Sequence, residues 1–93
     1  MIGKLCIFPN YKWCGPGCSG PGAPINDVDH CCYKHDRCLK QGYSSCYCDD
    51  QFIQCLHTKR NPRTQKGRQA NLMYNFMKLK TTFTCPPHKK RHI

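Results

Sequence analysis

Glutamate is missing from this 93-residue chain, and its five aspartates all fall within the first fifty positions. Residues 1–50 balance those acids with five bases. Residues 51–93 carry ten bases and no acid, so the net charge of +10 belongs to the second half. Such a half favours a polyanionic surface, whether phospholipid, nucleic acid or sulfated glycan. Long apolar runs are also missing, which excludes a segment able to cross a bilayer. No apolar leader core follows Met1. A mature form with Met1 added, or arrival in an oxidising place by another route, is therefore expected. The chain is short as well, with room for one small domain whose buried apolar surface gives little stability by itself.

Cysteine is what the chain has in plenty, at 10 of 93 residues. That density marks a disulfide scaffold, and five bridges at roughly 2–4 kcal/mol each offset a thin core. A framework of this kind needs an oxidising compartment, which argues for a secreted protein or another oxidising site such as a virion or cell surface.

Residues 1–25 hold five Gly and four Pro without helical period and read as loop. Asn26 is a good N-cap, with Asp29 three positions on echoing a capping box. From there Val28, Cys31, Cys32, His35, Cys38 and Leu39 share one helical face, and Gly42 offers a stop. Ser44 or Ser45 opens a second helix with Cys48, Phe52, Cys55 and Leu56 on one face, ended by Asn61-Pro62. A basic stretch over residues 60–69 precedes a third, shorter helical segment from about Gln69 to Lys80, whose apolar residues are Leu72, Met73, Phe76, Met77 and Leu79. The expected architecture is a mainly α, disulfide-rich domain over residues 1–85, with a basic, disordered tail over 86–93. Cys31 and Cys38 are seven apart, as are Cys48 and Cys55, so each pair lies on one side of its helix. Antiparallel packing would bring Cys38 to Cys48 and Cys31 to Cys55, with His35 between the two bridges and Asp49 beside the same gap. Spacing favours this pairing without proving it, since ten cysteines allow roughly 945 connectivities.

Three segments carry chemistry. Trp13-Cys14-Gly15-Pro16-Gly17 is a glycine-bearing turn whose carbonyls could converge on a hard cation, although such loops are usually only turns. In Asp29-His30-Cys31-Cys32-Tyr33-Lys34-His35-Asp36-Arg37-Cys38, a base and a carboxylate stand side by side on a rigid helix. The bland reading is a buried histidine and a solvated aspartate. Zinc is rejected, because the tandem cysteines and wide spacings do not match a tetrahedral site. In Cys46-Tyr47-Cys48-Asp49-Asp50, Asp49 could orient a histidine through the ring nitrogen not used in catalysis.

Taken together, the three segments resemble the secreted phospholipase A2 family: its calcium loop, its C-C-x-x-H-D-x-C catalytic helix and its C-x-C-D second helix. Trp13, the run from Cys48 to Phe52, and Met73-Tyr74 are most similar to the bee-venom type. The likeness covers roughly residues 8–85. It implies an N-terminal calcium-binding loop, with Ca2+ held by the carbonyls of Trp13, Gly15 and Gly17 and the carboxylate of Asp36. It implies His35 as general base, oriented by Asp49, with Tyr74 hydrogen-bonded to Asp49 and the Gly15 N–H helping the oxyanion. The implied reaction is hydrolysis of the sn-2 ester of glycerophospholipids by water, and the implied bridges are Cys14–Cys32, Cys31–Cys55, Cys38–Cys48 and Cys46–Cys85. Cys6–Cys18 is left over. Leu39 stands where the pancreatic and snake types carry a supporting tyrosine, and the β-wing of those types has no room.

The expected partner is a phospholipid surface, preferably anionic, met by a monomer. Nucleic acid is not expected, since bases and aromatics are not interleaved as a stacking groove wants. Asp36 argues for an enzyme, since family members with a base there lose calcium. The competing reading is a catalytically inert cationic binding module on the same scaffold, using Lys59 to Arg68 and Lys89-Lys90-Arg91. Ile2, Leu5, Ile7, Phe8 and Tyr11 are candidates for the rim where lipid enters, and an N-terminal core strand or coil is an equal expectation for them. Tyr33 and Phe52 are expected to pack the helix interface rather than touch substrate. His30, His57, His88 and His92 are read as surface residues.

Overall fold

The computed structural model describes residues 6–8, 10–15, 18 and 20–85. The tail at 86–93 lies outside them, as do Ile2, Leu5, His88 and His92. Three helices follow the N-terminal loop: α1 (Asp27–Lys40), α2 (Ser45–His57) and α3 (Gln65–Thr84). No strand occurs among the described residues.

Each helix starts where a side-chain oxygen meets an orphan N–H. Asn26 accepts from the Asp29 N–H at 2.8 Å, Ser44 from Tyr47 at 3.2 Å, and Thr64 from Gly67 at 2.9 Å. The third helix is not the short segment expected: at 20 residues it is the longest of the three. The apolar pattern becomes visible only around residue 70, but the backbone is capped six residues earlier at Thr64. Gln65, Lys66 and Arg68 extend the helix without an apolar signature, because they form helix well while remaining exposed.

Five disulfides join these elements. Cys38–Cys48 and Cys31–Cys55 staple α1 and α2 as antiparallel neighbours, as the seven-residue spacings anticipate. Cys46–Cys85 ties the start of α2 to the end of α3, so those two helices are antiparallel as well. Cys14–Cys32 and Cys6–Cys18 fasten the loop to α1 and to itself. All ten cysteines are paired. The core between the three helices gathers Val28, Phe52, Ile53, Leu56, Ala70, Met73 and Met77, with Tyr11 from the loop. Tyr11 is thus a core residue rather than a rim residue. Its hydroxyl donates to Gln69 at 2.7 Å and accepts from Asn26 at 3.2 Å, joining loop, α1 and α3. Burial pushes its phenol up from the usual range.

Two further contacts shape the loop. A Cβ on Gly20 would lie 2.6 Å from the Trp13 ring, and its φ of +82° suits glycine. Trp13 closes the same turn by donating from Nε1 to the Gly22 carbonyl at 3.0 Å. At the far side of α1, Lys66 lies 3.0 Å from Asp27 and Lys59 lies 3.8 Å from it. The hydrogen bond from Lys66 holds the Asp27 carboxyl below its ordinary range. Both partners are half-exposed, so this tie between α1 and α3 contributes little.

Candidate functional site

The face of α1 that bears the bridges also bears His35, flanked three positions away on either side by Cys32 and Cys38. Across the α1–α2 interface, Cys48 sets the register, and the next residue, Asp49, faces the imidazole. His35 Nε2 lies 2.7 Å from Asp49 Oδ1. The Asp49 side chain is 3% exposed and that of His35 21%. A buried carboxylate at this distance selects the tautomer with a proton on Nε2, which leaves Nδ1 free to accept one. Phe52, one turn along α2, stacks on the imidazole with centroids 4.5 Å apart and planes 19° apart. It therefore belongs to the site. Its expected role in the helix interface holds too, since it is also a core residue.

Asp49 has a second partner that sequence reasoning missed. Lys80 of α3 donates to Asp49 Oδ2 at 2.7 Å, so the carboxylate is bracketed by an imidazole and an ammonium. Tyr74, expected at this place, is elsewhere. Its ring lies 5.6 Å from His57 and under the Arg60 guanidinium at 4.1 Å. Six residues separate Tyr74 from Lys80, about 240° around a helix, so α3 cannot present both to Asp49. Packing of Ala70, Met73, Met77 and Thr81 into the core decides the rotation.

His35 opens onto an apolar cavity of about 290 Å³ lined in part by Trp13, Gly15, Asp36, Leu39, Met73 and Phe76. Ile7 lines the same cavity and is half-exposed, in keeping with the expected rim. Trp13 and Gly15 stand in the loop, and Asp36 follows His35 on α1, so three of the four expected calcium contributors meet at one cavity. Gly17 lies outside the described residues. Among the described residues no three His, Cys, Asp or Glu side chains form a metal cage. The donor set that remains is one carboxylate with loop carbonyls, all hard oxygens of the kind calcium takes. Lys40 lies 3.3 Å from Asp36, but its side chain is 61% exposed and can yield to a cation.

The loop is held at this mouth by a second residue whose role the sequence disguised. Asp29 is fully buried. Instead of reaching back to cap its own helix, its carboxylate accepts from the backbone N–H groups of Trp13 at 2.8 Å, Lys12 at 3.2 Å and Ile25 at 3.1 Å. Tyr33 supports the same loop with its ring edge-on to Trp13 at 4.8 Å. His30 and His57 are exposed, as expected.

The chain is 32% identical over 71 residues to basic phospholipase A2 3 of Bungarus caeruleus, covering 75% of this chain and 50% of that protein. It is 36% identical over 81 residues to phospholipase A2-alpha of Arabidopsis thaliana, covering 73% of this chain and 53% of that protein. Over 38 residues it is 50% identical to phospholipase A2 of Ovis aries, covering 40% and 29% of the two chains. The chain thus spans about half the length of its first two relatives. Snake, plant and mammal are all represented, and these matches assign no subtype. No family model and no solved structure matches the chain.

Proposed function

Since the chain belongs to the secreted phospholipase A2 family, we propose that it is a calcium-dependent, secreted phospholipase A2. It hydrolyses the sn-2 ester of glycerophospholipids to a fatty acid and a lysophospholipid. The observation that carries this reading is the His35–Asp49 pair at 2.7 Å, opening onto an apolar cavity that also bears Asp36.

In this reading His35 Nδ1 takes a proton from a water as that water attacks the ester carbonyl, so no serine or cysteine nucleophile is needed. Asp49 holds the ring in its working tautomer and faces the imidazolium that forms. Phe52 fixes the ring plane, and Lys80 fixes Asp49. The Gly15 N–H is assigned to the developing oxyanion. The carbonyls of Trp13, Gly15 and Gly17 and the carboxylate of Asp36 would hold calcium, which when bound supplies positive charge to the substrate phosphate and the oxyanion. The apolar wall of the cavity accepts an acyl chain. The partner is a phospholipid surface, and the ten bases of residues 51–93 favour an anionic one.

The test uses the oxidised protein on vesicles of a mixed-chain phospholipid, with calcium or with chelator, and identifies the acid released. Calcium-dependent release of the sn-2 chain alone is expected. No release, together with vesicle binding that ignores calcium, would replace the enzyme with the cationic binding module.

Lys80 gives a finer check. Removing its ammonium in Lys80→Met leaves Asp49 Oδ2 buried without its ion pair, so the carboxylate can turn away from His35. The expected loss is on the order of tenfold in kcat, equivalent to about 1.4 kcal/mol, with KM little changed and Lys80→Arg retaining most activity. Equal kcat in wild type and Lys80→Met would remove Lys80 from the positioning of Asp49.

A further inference from the structure

His35 is a wall of two cavities. One is the apolar cavity described above, where Trp13, Leu39, Met73 and Phe76 stand beside Asp36. The other is a groove of about 310 Å³ between α1 and α2, lined in part by Lys34, Gln41, Tyr43, Tyr47 and Gln51. Of the described residues, His35 and Phe52 alone line both.

The division follows from the helix period. At about 100° per residue, Lys34, Cys38 and Gln41 fall on one side of α1 and line the groove, while Cys32, Asp36 and Leu39 fall on the other and line the apolar cavity. His35 lies between the two sets. The bridges Cys31–Cys55 and Cys38–Cys48 cross from α1 to α2 on either side of that level, and all four cysteines line the groove. Two helices stapled above and below His35 keep a fixed spacing there.

The two sides differ in chemistry. An acyl chain in the apolar cavity excludes water from that side, yet hydrolysis consumes one water for each ester cleaved. The groove suits water. Its side chains include an ammonium, two amides and two phenols, with no carboxylate, and its volume far exceeds the roughly 10–15 Å³ that one water needs. It also opens to solvent, for Tyr43 and Tyr47 are 56% and 49% exposed, with their rings 5.3 Å apart.

We propose that the groove between α1 and α2 is a second, polar entrance to His35, through which water reaches the imidazole while the apolar cavity is filled. The use of that water in hydrolysis rests on the phospholipase reading; access of small polar molecules to His35 does not. Lys34 and Gln51 face the groove from opposite helices, and Tyr47 stands one turn before Gln51 on α2. These three side chains set its width.

The experiment reads access directly. Diethyl pyrocarbonate, a small water-borne reagent for imidazole, is applied to the oxidised protein, and modification of His35 is timed by peptide mass mapping. Decanol fills the apolar cavity in a parallel series, its binding followed by the fluorescence of Trp13, the single tryptophan of the chain. In wild type, decanol is expected to slow the modification by less than about threefold, since a filled pocket closes only its own mouth. With decanol present, Lys34→Phe/Gln51→Phe closes the groove from both walls and is expected to slow modification at least about tenfold. Tyr47→Ala widens the groove and is expected to speed modification about threefold, which keeps the test open if the double variant folds poorly. Gln54→Phe, on the same helix outside both cavities, is the control and stays within about twofold. Turnover of a short-chain phospholipid below its micelle concentration is followed alongside, with kcat of the double variant expected to fall about fivefold at little change in KM.

Protection of wild-type His35 by decanol of tenfold or more overturns the proposal, because the apolar mouth would then be the entrance. So does modification within about twofold of wild type in both groove variants. A double variant that blocks modification but keeps its kcat overturns the water route as well. No hydrolysis by wild type, with modification governed by the groove variants, would sink the phospholipase reading and leave the entrance in place.

Discussion

Replacing His35 by glutamine is expected to lower calcium-dependent ester hydrolysis by at least about a hundredfold while leaving the fold and vesicle binding intact. The magnitude follows from the role assigned to the ring. A positioned general base contributes roughly 10²–10⁴-fold, and an amide cannot take a proton at neutral pH. The fold should survive because glutamine reaches about as far as histidine and can donate to the same Asp49 oxygen that now lies 2.7 Å from Nε2. The Asp49–Lys80 pair at 2.7 Å is then undisturbed, and the bridges Cys31–Cys55 and Cys38–Cys48 hold the two helices in register. The measurement is the initial rate of sn-2 acid release alongside thermal unfolding and vesicle sedimentation. A rate within a fewfold of wild type, with unchanged unfolding, would take the role of base away from His35. A parallel fall in melting temperature would instead assign the histidine to the packing under Phe52.

The second large effect is on stability. Asp29→Ala should lower the melting temperature by more than 10 °C and weaken calcium binding. Its carboxylate is fully buried and accepts three backbone N–H groups, from Trp13, Lys12 and Ile25. Hydrogen bonds to a charged group contribute about 1.5–3 kcal/mol each, and truncation takes the acceptor from three partly buried donors. A net loss of about 3 kcal/mol is therefore a modest expectation, and each kcal/mol moves the midpoint of a domain this size by about 4–8 °C. Cys6–Cys18 and Cys14–Cys32 keep the loop attached to the molecule. The damage should therefore concentrate at Trp13 and Gly15, whose carbonyls are assigned to calcium. Circular dichroism melting and a calcium titration read the two effects. An unchanged midpoint with unchanged calcium binding would show that the disulfides alone hold the loop.

Much of the site was legible because its parts are local. His35 and Asp36 are neighbours on a helix whose start is marked by Asn26, and the paired seven-residue cysteine spacings place Asp49 opposite His35 once the helices are antiparallel. Phe52 was assigned to the interface correctly, yet its stacking on His35 was not legible. Spacing says that a residue faces the neighbouring helix without saying which side chain it meets. Asp29 was misread for a related reason. At the third position of a helix it looks like a capping partner, but the backbone N–H groups of Trp13 and Lys12 that donate to its carboxylate lie 16 and 17 residues earlier in a loop without periodicity.

Sequence by itself determined the disulfide scaffold, the mainly helical class, the starts of α1 and α2, the uneven charge and the alignment of His35 with Asp49. These depend on caps, on i, i+3 and i, i+4 neighbours, and on cysteines at whole-turn spacing, all of which act within a few residues. Tertiary structure alone decided the rotation of α3. That helix has apolar residues on two faces, so its pattern does not say whether Met73 and Met77 or Leu72, Phe76 and Leu79 turn inward. Close packing against Cys32, Phe52 and Leu56 chose the methionines. The choice brought Lys80 rather than Tyr74 to Asp49 and left Leu72, Phe76 and Leu79 outside, because a rigid helix rotates as one body and every side chain on it must follow.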